Sequence, residues 1–178
     1  SYRSDRQGIR AVKFIQGQLE DRGHKVTFVD AKAYNLPMLD KMYKEYDEGK
    51  APSPMQQLHD LFTEVDGFVL VSGEYNYSVL PGLKNLMDHF LEEYYFRPAG
   101  MVTYSAGNVA GQRASMHVRD IVGGMGMVPI SSSVSIPQVQ NTLGEDGEDK
   151  EGKFTKPSKK FIDELVWYAG ALKDKKQK

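Results

Sequence analysis

Three short polar segments of the sequence carry residues that could bind a charged, planar ligand. The most distinctive reads Gly-Glu-Tyr-Asn at residues 73–76, directly after the apolar run at 68–71. Polarity argues against Glu74, Tyr75 and Asn76 as core residues, and the glycine lets this loop present backbone N–H groups to a planar ring. The alternative is that Asn76 only caps the next helix and Tyr75 packs on the surface.

The segment at residues 1–8 precedes a predicted helix and is rich in hydrogen-bond donors. Its polar side chains and the glycine near the helix start are Ser1, Arg3, Ser4, Arg6, Gln7 and Gly8. Hydroxyl groups, guanidinium groups and free N–H groups at a helix N-terminus are what a phosphate monoester requires. An ordinary helix cap, with no ligand, is the alternative explanation.

The segment Ser105-Ala106-Gly107 follows another apolar run. Its small side chains would let a flat ring approach the backbone closely. The same residues also suit an ordinary strand-to-helix turn.

Hydrophobic periodicity and turn residues predict the elements that position these segments. Helices are predicted over residues 9–22, around 58–65, from Pro81 with an apolar face reaching Tyr94, from about Gln112, and from Phe161; strands are predicted over 24–30, 68–72, 101–104 and 127–133. Residues 31–54 are interpreted as a long loop with one short helix, 141–160 as a solvated loop, and 173–178 as a frayed tail. Strands that alternate with helices indicate a parallel sheet covered by helices on both faces.

A parallel sheet of this kind binds ligands beyond the carboxyl ends of its strands. We therefore expect three loops to converge there: the first loop (residues 1–8), the second loop (73–79) and the third loop (105–111).

Composition narrows the possible functions. The 178 residues predict one domain over 1–178, with 40% hydrophobic and 26% charged residues and a formal net charge of -1. The balanced charge gives no reason to expect a nucleic-acid partner. Cysteine is absent, which excludes disulfides, cysteine-bound zinc and thiol redox chemistry. The apolar runs are too short for a membrane span and the first residues are polar, so we expect a cytoplasmic protein. The four histidines lack metal-ligand spacing, so we expect no metal site.

The segment from Gly73 to Phe90 resembles the (Pro/Gly)-Glu-Tyr-Asn-x-Ser-x-x-x-x-Leu-Lys-Asn-x-x-Asp signature of the flavodoxin-like NADPH-dependent FMN reductases, which include quinone, azo-dye and chromate reductases. The first loop resembles that family's Gly-Ser-x-Arg phosphate loop, and residues 105–107 resemble its third, ring-contacting loop. Gly73 stands where many relatives have proline. The resemblance implies a three-layer α/β/α sandwich with a parallel five-stranded sheet. It also implies a strand and a glycine ahead of Ser1, so we expect the first strand to be missing from the chain as given.

The resemblance also implies a cofactor and its contacts. Ser1, Arg3, Arg6 and Gln7 would hold the FMN phosphate; Glu74, Tyr75, Asn76 and Tyr77 would line the isoalloxazine ring; Ser105, Ala106 and Gly107 would contact its far side. NADPH or NADH would supply a hydride to flavin N5, and a quinone, azo compound, metal oxyanion or free flavin would take two electrons by a ping-pong mechanism. No side chain is required as an acid or base, so none is predicted to be catalytic.

Two other functions remain open from the sequence. One is a flavin-binding redox sensor or docking module with little turnover, and the other is a phosphate-binding α/β domain without flavin. The resemblance further implies a homodimer or tetramer through residues 81–97. The aromatic run Tyr94-Tyr95-Phe96, followed by Arg97, has the composition of an interface, and the alternative is that it belongs to the core.

Overall fold

The computed structural model describes residues 1–176 and shows an α/β fold with a parallel sheet. The strands are β1 (Phe68–Ser72), β2 (Pro98–Tyr104) and β3 (Val128–Ile136). The helices are α1 (Gly8–Glu20), α2 (Ala31–Tyr34), α3 (Ser53–Glu64), α4 (Pro81–Asp88), α5 (Gln112–Gly124), α6 (Val139–Thr142) and α7 (Thr155–Lys176), with 3-10 turns at Tyr43–Glu45 and Glu92–Tyr94.

The sheet has the order β1-β2-β3 with both pairings parallel, so β2 is its central strand. Every residue of β2 is buried, as expected for a parallel strand with helices on both faces. Alternate residues of β2 enter two hydrophobic clusters: Val102 and Tyr104 pack with α1 and α7, whereas Met101 packs with α3, α4 and α5. The loops at the carboxyl ends of the strands are thereby fixed to a well-buried support.

The observed helices and strands differ from the predicted ones in several places. The described residues contain three strands, not five, and the predicted strand at 24–30 is wrong because these residues make no ladder pairing. A strand requires a hydrogen-bonded neighbour as well as a suitable sequence, and apolar alternation reports only the latter. The α4 helix ends at Asp88, and the apolar residues beyond it continue through a 3-10 turn.

The C-terminal third is more ordered than its composition indicates. The predicted solvated loop at 141–160 includes the end of α6 and the start of α7, and it packs on α1. A Cβ at Gly147 would lie 2.4 Å from the backbone nitrogen of Phe14, which shows how closely the two segments approach. Of the predicted frayed tail, residues 173–176 belong to α7, and residues 177–178 lie outside the described residues.

Two further findings concern residues 1–176. Their helices are too short or too polar to cross a bilayer. Nor do their His, Asp and Glu side chains form a group of three or more that could hold a metal ion.

Candidate functional site

The three predicted loops meet at the carboxyl edge of the sheet. The second loop leaves β1 after Ser72, and the third loop leaves β2 after Tyr104. The first loop is joined to the second loop by a hydrogen bond, since Ser1 Oγ and the Tyr75 hydroxyl lie 3.2 Å apart. Because the strands are parallel, this edge is where such a sheet presents a ligand site.

Tyr104, at the end of β2, lies beneath the first and second loops. Its side chain is only 9% exposed. A Cβ at Gly8 would stand 2.2 Å from the Tyr104 hydroxyl oxygen, and a Cβ at Gly73 would stand 3.1 Å from its ring. Both glycines therefore allow their backbones to approach one aromatic ring. Burial, with a smaller contribution from Tyr75, raises the pKa of Tyr104 to about 12.

Within the first loop, the four predicted phosphate ligands lie together but already have partners. Arg3 is exposed and forms a two-point ion pair with Asp5, at 3.1 Å for each contact. Gln7 donates to the Asp5 carbonyl at 3.0 Å and accepts from Arg10 Nε at 2.9 Å. These contacts hold the loop in shape ahead of α1.

Arg6 makes a partly buried ion pair with Asp30, a residue that lies outside the three loops. The two guanidinium nitrogens are 2.7 and 2.5 Å from the Asp30 carboxylate oxygens. The hydrogen bond from Arg6 lowers the pKa of Asp30, although burial acts in the opposite direction. Asp30 also accepts from the Lys32 backbone N–H as the N-cap of α2. Asp30 directly follows the apolar residues Phe28 and Val29, and this position is the signal in the sequence that could have marked it as a candidate site residue.

The second loop contains a tight turn. Tyr75 and Ser78 exchange backbone hydrogen bonds of 3.1 and 2.9 Å, and the two residues between them, Asn76 and Tyr77, have φ angles of 48° and 67°. Left-handed backbone is common for asparagine and costly for tyrosine. The Arg113 guanidinium lies 4.2 Å from the centre of the exposed Tyr77 ring and supports it by a cation–π contact. The alternative of Asn76 as a helix cap is wrong, because the N-cap of α4 is Leu80.

Glu74 turns away from solvent toward α5. Its Oε2 accepts hydrogen bonds from the backbone N–H groups of Arg113 at 3.1 Å and Ala114 at 3.2 Å. The second loop is thus attached directly to the helix that follows the third loop.

The third loop presents exposed Ala106 and Gly107 on a firmly held backbone. Ser105 Oγ donates to the Gly107 carbonyl at 2.7 Å and accepts from the Ala110 N–H at 2.9 Å. Residues after β3 hold the same loop, since Gln138 N–H donates to Gly107 at 2.9 Å and Gln140 Nε2 donates to Ala106 at 3.1 Å. Sequence reasoning missed this support, because nothing in the composition of 137–140 points to it.

All eleven predicted site residues therefore belong to loops on one edge of the sheet. Hydroxyl, guanidinium and amide groups gather in the first loop, whereas aromatic and small side chains border the second and third loops. A donor-rich loop beside loops with aromatic and small side chains has the chemistry that a phosphate joined to a planar ring requires. The residues present fit FMN.

Comparison with known proteins gives the family. The model of the NADPH-dependent FMN reductase family matches residues 1–141. The chain belongs to this family. FMN is the cofactor of this family, and NADPH is the electron donor that its name gives.

Two curated relatives resemble parts of the chain at moderate sequence identity. The chain is 33% identical to quinone reductase of Escherichia coli K12 over 92 residues, 49% of this chain and 48% of that protein, so it spans about half the length of that relative. It is 27% identical to NAD(P)H-dependent FMN reductase LOT6 of Saccharomyces cerevisiae over 137 residues, 72% of this chain and 70% of that protein.

Solved structures agree on the fold. FerB of Paracoccus denitrificans, a flavoenzyme NAD(P)H:(acceptor) oxidoreductase, superposes with a TM-score of 0.73 at 20% identity, covering 94% of each chain. An oxidoreductase from Corynebacterium diphtheriae superposes with a TM-score of 0.65 at 12% identity, covering 92% of this chain and 86% of that one.

Proposed function

We propose that the protein is an FMN-dependent NAD(P)H oxidoreductase that reduces quinones, azo compounds, metal oxyanions or free flavin by a ping-pong mechanism. The observation that carries the proposal is the convergence of the first and second loops on Tyr104, with the third loop beginning at the next residue. Relatives named quinone reductase and FMN reductase support the same acceptor class.

The proposed contacts follow the chemistry of each loop. Ser1, Arg3, Arg6 and Gln7 bind the phosphate; residues 74–77 line one part of the ring; Ser105, Ala106 and Gly107 contact another part. Arg3 is exposed and can exchange Asp5 for a phosphate, since its ion pair lies in solvent. Arg6 contributes its positive charge while it remains bound to Asp30.

The chemistry that FMN supplies when bound is acceptance of a hydride from NAD(P)H and transfer of two electrons to an acceptor. The protein's tasks are then to bind FMN, to orient its ring and to shield that ring. The third loop keeps its backbone fixed through Ser105, and the second loop keeps its turn through the Tyr75–Ser78 pair. We propose no side chain as an acid or base.

Anaerobic reduction tests the function. Purified protein loaded with FMN is mixed with NADPH, and the flavin absorbance is followed before and after addition of a quinone. An enzyme bleaches rapidly and recovers its colour with the quinone, whereas persistent colour indicates a flavin-binding sensor or docking module. Protein that takes up no FMN would indicate the phosphate-binding domain without flavin.

Steady-state kinetics test the mechanism. NADPH and quinone are varied together, and parallel double-reciprocal lines are expected because donor and acceptor use one place in turn. Intersecting lines would contradict the ping-pong proposal.

We further propose that copies of the chain associate through residues 81–97 as a dimer or tetramer. Leu86, Phe90 and Tyr94 are buried in the protein's own core, whereas Phe96 is 65% exposed. Phe96 thus offers an apolar group to a second copy.

The finer details of the fold belong to the same proposal: a three-layer α/β/α sandwich forming one domain over 1–178. A cytoplasmic location stays a prediction.

A further inference from the structure

The first turn of α5 lacks a cap from its own N-terminus. Gly111 occupies the N-cap position with a φ of 69° and no side chain to accept hydrogen bonds. A Cβ at this position would lie 2.9 Å from the carbonyl oxygen of Tyr104, so the close approach of the backbone favours glycine there. The first N–H groups of a helix need acceptors from elsewhere when the N-cap residue supplies none.

Glu74 provides these acceptors from the second loop. Its side chain is 12% exposed, and its Oε2 accepts from both Arg113 and Ala114. The other carboxylate oxygen lies 3.6 Å from Arg113 Nη1. A carboxylate at a helix N-terminus is further stabilised by the helix dipole.

Arg113 completes the connection by returning to the second loop. Its guanidinium covers the ring of Tyr77, three residues after Glu74. One loop therefore contacts α5 at two points, through a carboxylate and through an aromatic face. The third loop is the only chain segment between β2 and α5, so its far end moves with this helix.

We propose that Glu74 is a positioning residue that sets the separation of the second and third loops, and hence the width of the cofactor cleft, by capping α5. This inference rests on the proposed function, in which both loops contact one flat ring. Glu74 then acts on the cofactor through α5 as well as through its place in the second loop, because its carboxylate is bonded to the N-terminus of that helix.

Amide hydrogen exchange and cofactor affinity test the inference together. Glu74→Ala and Glu74→Gln are compared with Asp120→Asn, which removes one exposed carboxylate from the same helix. In the apoprotein, we expect exchange at the Arg113 and Ala114 amides to accelerate about tenfold in Glu74→Ala, the usual scale for a lost cap. The dissociation constant for FMN, from quenching of flavin fluorescence, is expected to rise by a similar factor. Glu74→Gln retains one acceptor and should give smaller changes, and Asp120→Asn should give none.

A third measurement separates positioning from general stability. The visible circular dichroism of flavin reports the surroundings of the ring, and at saturating FMN we expect it to change in Glu74→Ala. Faster amide exchange with unchanged FMN affinity and dichroism would overturn the positioning role. Unchanged amide exchange would overturn the cap. Wild-type apoprotein that takes up no FMN would instead refute the proposed function, and with it the role of Glu74. If Glu74→Ala does not fold, the same criteria apply to Glu74→Gln.

Discussion

Replacing Gly8 by alanine should disturb the floor of the site, because the new methyl group would collide with Tyr104. The Cβ would lie 2.2 Å from the hydroxyl oxygen and 2.3 Å from Cζ of that ring. An ordinary contact needs about 3.5 Å, so the ring or the start of α1 must move by about 1.3 Å. Overpacking of this kind costs about 1–3 kcal/mol in a well-packed region. We therefore expect Gly8→Ala to lower the free energy of unfolding by that amount and to weaken FMN binding.

Gly17→Ala is the matched control on the same helix. A Cβ at Gly17 would meet no heavy atom within 4 Å outside its chain neighbours and the backbone of its own helix. Alanine in a helix interior is more stable than glycine by about 0.5–1 kcal/mol, so this variant should be slightly more stable than wild type. The two alanine variants should thus differ by at least about 1.5 kcal/mol.

Thermal and denaturant unfolding of the apoprotein, with FMN titration, measure both effects. Each kcal/mol shifts the melting temperature by about 2–4 °C in a chain of this size. In a Tyr104→Val background the cost of Gly8→Ala should fall to near zero, because the colliding ring is gone. Equal stability of the Gly8 and Gly17 variants, or an unchanged cost in the Tyr104→Val background, would refute the reasoning.

Three further predictions concern charge and assembly. Burial would raise the pKa of Glu164, but hydrogen bonds from Ser131 and Ser132 outweigh it and lower this pKa from 4.5 to about 2. The stability that these hydrogen bonds contribute is therefore complete above pH 4.5 and declines as the pH falls toward 2. The melting-temperature difference between wild type and Glu164→Gln should shrink over that range, and a constant difference would contradict the prediction. Asp30→Asn should cost about 1–3 kcal/mol at pH 7 by weakening the pair with Arg6. Because the folded pKa of Asp30 is lowered, this cost should diminish as the pH falls below about 4, and denaturant unfolding at pH 7 and pH 3 checks it. Phe96→Asp should shift sedimentation equilibrium toward the monomer, whereas an unchanged mass would remove Phe96 from the interface.

The local features of the fold could be predicted from the sequence. The β1 strand was predicted because a short run of apolar residues bounded by turn residues is typical of a parallel strand, and the start of α5 was predicted from its apolar spacing. The second and third loops were placed correctly because parallel strands bring their carboxyl ends together. Each of these inferences depends only on neighbouring residues and on general topology.

Features that depend on distant contacts were not predictable in this way. The ion pair of Arg6 joins residues 24 positions apart, and Glu74 caps a helix that begins 38 positions later. Nothing in the local composition of either residue indicates the partner. Residues 24–30 failed as a strand for a related reason, since ladder hydrogen bonds require a neighbour that local composition cannot supply.

The raised pKa of Tyr104 has a consequence for how the site responds to pH. A phenol that titrates at about 12 remains neutral throughout the range in which the protein would be assayed. The surface beneath the loops therefore keeps one charge state and one hydrogen-bonding capacity from acid to mildly alkaline solution. Titration of Tyr104 therefore contributes nothing to a change of cofactor affinity between about pH 5 and pH 9, whereas the phosphate of the cofactor itself titrates within this range, since the second ionisation of a monoester falls near 6.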